Sequence, residues 1–168
     1  MRKLLVCLLF LLGVLVLPAA GHELGAPHLE GEGGPQDPSQ AEAFYREACD
    51  GGYVGGCFSL GVIYENGIGV PQDAEQALAF YRKACDGGGA GGCFTLGVRY
   101  AEGRGVQSDV GQAVTLFRKA CDGGEPLGCS TLGGMYAEGR GVPQDARQAA
   151  VFYRKACDGG DAAGCFTL

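Results

Sequence analysis

Apolar residues recur along this chain at helical spacing, and short glycine-rich runs interrupt them at fixed intervals. In residues 73–88 (DAEQALAFYRKACDGG), Ala77, Phe80, Tyr81, Ala84 and Cys85 stand at i, i+3, i+4, i+7 and i+8, which is one apolar face of a helix. Asp73 precedes that face as an N-cap, and Gln76 sits three residues on, placed to reach back to the cap. Arg82 and Lys83 lie near the C-terminal end, where positive charge suits the helix dipole. Gly87 and Gly88 end the helix, because glycine enters the left-handed conformation without steric cost. A second amphipathic segment opens at Gly55, with Cys57, Leu60, Gly61 and Tyr64 at i, i+3, i+4 and i+7. A mid-helix glycine costs about 1 kcal/mol relative to alanine. Its recurrence at 61, 97 and 133 predicts that a neighbouring backbone approaches closely there. Residues 67–72 (GIGVPQ) join the second segment to the next capping aspartate as a tight turn.

The same text returns every 36 residues. Residues 37–52, 73–88, 109–124 and 145–160 are four copies of one helix, and the segments from 55, 91 and 127 are copies of the other. Hairpins of this kind cannot bury their apolar faces alone, so stacking is expected. The predicted fold class is an all-α solenoid of 36-residue antiparallel helix pairs, tetratricopeptide-like. It comprises a lone helix over 37–52, repeats over 53–88, 89–124 and 125–160, and a partial repeat over 161–168. The last copy lacks its glycine and tyrosine, so that either the chain is a fragment of a longer array, the favoured reading, or the stub carrying Cys165 is itself the cap.

The N-terminus reads differently. Arg2 and Lys3 precede an apolar run of 14 residues over 4–17, followed by small residues over 18–21. This predicts a cleaved signal peptide over 1–21, since a membrane anchor needs about 20 apolar residues. Residues 22–36 (HELGAPHLEGEGGPQ) have little apolar content and read as a disordered linker before a folded part at 37–168.

Composition then narrows function. Glycine is 32 of 168 residues, well above the usual rough 7%, but its fixed places make it punctuation rather than low complexity. The net charge is −6, and losing Arg2 and Lys3 with the leader makes it −8. That balance argues against a nucleic-acid partner or an anionic membrane surface, both of which require basic patches. No stable membrane insertion is expected after cleavage.

Eight cysteines remain once Cys7 leaves with the leader. An even number at regular spacing in an exported chain reads as a disulfide framework. Two schemes respect the repeat. One joins Cys49 to Cys57, Cys85 to Cys93, Cys121 to Cys129 and Cys157 to Cys165; the other joins Cys57 to Cys85, Cys93 to Cys121 and Cys129 to Cys157. Hairpin geometry alone does not choose between them. Counting favours the first, which pairs all eight, whereas the second strands Cys49 and Cys165. The C-x7-C spacing matches neither the C-x-x-C of redox sites nor the short pairs of zinc sites, so no metal and no cofactor is expected.

The run L-G-x-x-Y-x-x-G-x-G-V-P-Q-D-x-x-Q-A over residues 60–77, and again over 132–149, resembles the Sel-one-like repeat. With the paired cysteines it is similar to the Helicobacter cysteine-rich proteins of that family, and the likeness covers residues 37–168. The resemblance implies a right-handed superhelix with a concave groove, used as an adaptor or interaction scaffold. It also implies the local disulfide pairing. Some cysteine-rich relatives are associated with penicillin binding and weak β-lactamase activity, which makes a cell-wall-derived ligand the alternative. None of Ser39, Ser59, Ser108 or Ser130 has lysine three residues on, and His22 and His28 are the only histidines, so no catalytic residue can be named for that alternative. The expected function is an exported, periplasmic or secreted scaffold for a protein or peptide partner, with enzymatic activity not expected. Candidate groove residues are those that vary on a fixed scaffold. They are Arg99, which stands where other copies have Ile63 and Met135, and Arg104 and Arg140 at equivalent turn sites, where they could form a basic spot.

Overall fold

The computed structural model describes residues 37–166. The expected leader and linker, residues 1–36, lie outside the described residues. Eight helices follow one another within the described part: α1 (Pro38–Asp50), α2 (Val54–Asn66), α3 (Ala74–Asp86), α4 (Ala90–Glu102), α5 (Val110–Asp122), α6 (Pro126–Glu138), α7 (Ala146–Asp158) and α8 (Ala162–Phe166). Each packs chiefly on the next, with the closest pairs being α2 with α3, α4 with α5 and α6 with α7. The chain is thus a stack of helix hairpins, an α-solenoid.

The aspartate caps act where the sequence puts them. Asp73 Oδ1 accepts from the backbone N–H groups of Glu75 and Gln76, both at 3.0 Å. Asp109 caps Gln112, and Asp145 caps Arg147 and Gln148. The reciprocal glutamine bond takes another form: Gln40 Nε2 donates to the Asp37 carboxylate at 3.5 Å rather than closing on the cap's backbone. The helix stop is carried by the second glycine of each pair. Gly88 has φ +91°, whereas Gly87 has φ −76° and turns its bare Cα toward the Val54 side chain.

The mid-helix glycines meet aromatic rings, not a backbone. A Cβ on Gly61 would lie 2.5 Å from the Tyr81 ring, and Gly97 and Gly133 face Phe117 and Tyr153 in the same way. The close backbone approach occurs five residues earlier. A Cβ on Gly56 would lie 2.9 Å from the backbone nitrogen of Cys49, and Gly92, Gly128 and Gly164 repeat that contact beside Cys85, Cys121 and Cys157. The reason is local: the cysteine that follows each of these glycines must reach its partner across two helix ends.

The core runs along the stack as buried Leu60, Ile63, Phe80, Tyr81, Leu96, Phe117, Leu132, Met135 and Phe152. Phe58 packs tilted on Tyr81 and Phe94 on Phe117, so these rings are inter-helix core. A second ladder links successive repeats. Arg46, Arg82 and Arg118 donate to the hydroxyls of Tyr64, Tyr100 and Tyr136 at 2.8, 3.1 and 2.7 Å. Tyr64 stacks on Phe80 and Tyr136 on Phe152, with the Arg46 and Arg118 guanidinium groups 5.4 Å from those phenylalanine rings. Arg82 therefore serves as a link to the next repeat as well as a charge near a helix end.

Candidate functional site

Each joint between a hairpin and the next is closed by a disulfide: Cys49–Cys57, Cys85–Cys93, Cys121–Cys129 and Cys157–Cys165, with Cα–Cα distances of 4.6, 4.5, 4.6 and 4.7 Å. The first three are buried, and Cys165 at the end of the described chain is exposed. Each bridge closes a loop of about nine residues, worth about 2.5 kcal/mol by chain entropy. With all eight sulfurs joined in pairs, the joints have no thiolate to offer a metal or a redox partner. Among the described residues no cluster of metal-ligating side chains occurs.

The three candidate arginines stand in different surroundings. Arg99 lies at a core position, since Ile63 and Met135 at the equivalent places are fully buried. Its Nη2 pairs with Glu65 Oε1, and Glu65 Oε2 accepts from the Tyr81 hydroxyl at 2.5 Å. Burial pushes the Tyr81 phenol up to about 12, so it remains a donor at neutral pH. Arg104 pairs at 2.8 Å with Glu102 on the exposed turn. Arg140 is exposed on the corresponding turn of the next repeat. Position 99 is half-buried in Arg99, at a place that other repeats fill with a buried apolar side chain. The signal that could have found this is Ile63 and Met135 themselves, since a position filled by Ile and Met is an apolar one.

The first helix of each pair also presents a stripe at the edge of the core, with Val62 and Val98 half-buried against core clusters. Ser59, Val62 and Asn66 on α2 fall at i, i+3 and i+7; Thr95, Val98 and Glu102 on α4 and Thr131, Gly134 and Glu138 on α6 take the same places. All nine are half-buried or exposed. Of the serines, Ser108 and Ser130 donate to the backbone carbonyls of Ala101 and Leu127. No described serine has a lysine placed as a hydrolase of the serine type would need.

A family model described as Sel1 repeat matches residues 18–53, 55–89, 90–125 and 127–161. The first match begins inside the segment read as leader and linker. There Leu24, Gly25, Gly31, Gly33, Pro35 and Gln36 stand 36 residues before Leu60, Gly61, Gly67, Gly69, Pro71 and Gln72. No curated protein matches the chain. Among solved structures, a Sel1 repeat protein of Oxalobacter formigenes is 32% identical with a TM-score of 0.72, covering 75% of this chain and 95% of that one. The protein c5321, a protective antigen of uropathogenic Escherichia coli displaying an SLR fold, is 39% identical with a TM-score of 0.73; 79% of this chain matches 28% of that one. Cysteine rich protein B of Helicobacter pylori is 30% identical with a TM-score of 0.65, over 79% of this chain and 95% of that one. The helix pairs therefore form a right-handed solenoid of the kind these structures share.

Proposed function

The chain belongs to the Sel1 repeat family, and on that premise we propose that it is an exported scaffold that binds a protein or peptide partner on the shared face of α2, α4 and α6. The Sel1 scaffold is typical of protein–protein interaction. The observation that carries the proposal is the stripe at 59/62/66, 95/98/102 and 131/134/138. It recurs at one register in three successive helices, with half-buried Val62, Val98 and Gly134 at its centre and exposed Asn66, Glu102 and Glu138 at its edge. Binding surfaces of helical repeats are built this way, because stacking sets the spacing and the side chains at each step set the partner. Export is supported by the charged start and apolar run of residues 1–21, by four disulfides, which persist in oxidising compartments, and by the likeness to the Helicobacter protein. Among the described residues no helix is long and apolar enough to cross a membrane.

Site-specific photo-crosslinking in the native host tests this. A benzophenone side chain at Val62 or Val98 is expected to capture one discrete partner, and the same group at Ala79 or Thr115 on the outer faces of α3 and α5 is expected to capture none. Capture from the outer positions alone, or from no position, would overturn the reading. N-terminal sequencing of the same material should begin close to His22; an intact Met1 would contradict export by a cleaved leader.

A further inference from the structure

The end of α2, the first half of α3 and the end of α4 enclose a cleft of about 210 Å³. Glu65, Asn66, Gln72, Tyr81 and Arg99 line its polar side, and Ala74, Ala77 and Leu78 form an apolar wall. One repeat further on, the places of Glu65, Tyr81 and Arg99 are taken by Ala101, Phe117 and Met135, and there Phe117 and Met135 are buried core. The repeat thus packs well without any charge at this junction. Replacing buried apolar side chains by an ion pair seldom adds stability and often lowers it. Natural chains break the local pattern in this way at functional or strained sites.

The geometry says what kind of function. Glu65 spends both oxygens inside the cluster, one on Arg99 and one on the Tyr81 hydroxyl. It therefore holds the guanidinium in place and neutralises it without filling its donors, of which arginine has five. The carboxamide nitrogens of Asn66 and Gln72 each spend one of their two N–H groups on the backbone carbonyls of Val62 and Glu65, at 2.9 and 2.7 Å, which fixes both side chains. The remaining N–H groups of Arg99 are the charged donors on the cleft's polar side, opposite a small apolar wall. A planar fork of donors recognises a carboxylate with two parallel bonds.

We propose that this cleft binds the free C-terminal carboxylate of a peptide ending in a small apolar residue, with Arg99 gripping the carboxylate, Glu65 and Tyr81 positioning Arg99, and Ala74, Ala77 and Leu78 receiving the last side chain. This rests on the reading that the protein binds a protein or peptide, and names the chemistry of one contact within it.

The test uses the whole, disulfide-intact protein and fluorescein-labelled Ser-Gly-Val-Ala as the free acid and as the amide, read by fluorescence polarisation. The free acid is expected to bind at least tenfold more tightly than the amide, and Arg99→Met should abolish that preference. The triple variant Glu65→Ala, Tyr81→Phe, Arg99→Met carries the residues the next repeat already holds. It should keep a Tm at or above that of the parent while losing the acid. Equal binding of acid and amide, binding of neither, or an unchanged preference in Arg99→Met would overturn the proposal. A triple variant that melts well below the parent would assign the cluster to the fold instead. An amidated peptide ending in glutamate that binds as well as the free acid would remove the terminal assignment. If Arg99→Met still crosslinks its partner from Val62, the cleft assignment alone fails; if no partner crosslinks from the helix face of the parent, the scaffold reading fails whatever the peptides do.

Discussion

Glycines in equivalent helices stand in opposite circumstances, and alanine substitution separates them. Gly56 lies in α2 against the backbone of α1, where a Cβ would come 2.8 Å from the Ala48 Cβ and 2.9 Å from the Cys49 nitrogen. Backbone cannot swing aside, so Gly56→Ala is expected to cost about 1–3 kcal/mol by overpacking. Gly134 in α6 has only the Tyr153 hydroxyl near it, at 3.6 Å. Gly134→Ala should stabilise by about 0.5–1 kcal/mol, the usual penalty of a helical glycine. Chemical denaturation of both variants checks the opposite signs. Tyr81 offers a second residue-scale prediction. Its phenol is held up to about 12 by burial, above the value near 10 of an unfolded chain. Between pH 10 and 12 the unfolded state gives up this proton while the folded state keeps it, so stability falls as pH rises through that window. The fall attributable to Tyr81 is about 2–3 kcal/mol, at about 1.4 kcal/mol per pKa unit. A tyrosinate titration should show one late group near 12, and Tyr81→Phe should remove both that step and the matching part of the stability loss.

Elements meet here at joints, and the joints are where the disulfides matter. Removing Cys85 and Cys93 together by alanine should cost about 2.5 kcal/mol and raise hydrogen exchange in the end of α3 and the start of α4. Removing Cys157 and Cys165 should confine its effect to α8, a helix of five residues with little else to hold it. Much of this scale could be read in advance. The D-x-x-Q starts, the double-glycine stops and the period of 36 residues place each helix, because caps and stops act on the few residues beside them. What could not be read was what each glycine faces. Gly61 meeting the Tyr81 ring and Gly56 meeting the Cys49 backbone are set by how two helices lie across each other, and no local rule carries that. The arginine–tyrosine ladder was hidden for the same reason, although Arg46/Tyr64, Arg82/Tyr100 and Arg118/Tyr136 all stand 18 residues apart. The pairing of Arg99 with Glu65, 34 residues before it, was hidden in the same way.

At the scale of the whole molecule, stability is the sum of similar hairpins and the interfaces between neighbours. Cross-repeat pairs such as Lys83 with Asp50 and Lys155 with Asp122 lie on the exposed side and add little. The core, the arginine ladder and the four covalent joints fix the angle between one hairpin and the next, and hence the shape of the face made by α2, α4 and α6. A scaffold that holds its binding face in shape before the partner arrives avoids an ordering cost on binding. That account depends on the joints being oxidised and locally paired in the working protein. Trypsin cuts so that each local pair falls within one peptide, over residues 47–82, 84–99, 120–140 and 156–168. Mass spectrometry of a non-reduced tryptic digest of protein recovered from its native host therefore tests it directly. The prediction is four single peptides, each lighter than its reduced form by two hydrogens. Peptides 47–82 and 84–99 joined through Cys57 and Cys85, or free thiols at the joints, would contradict it.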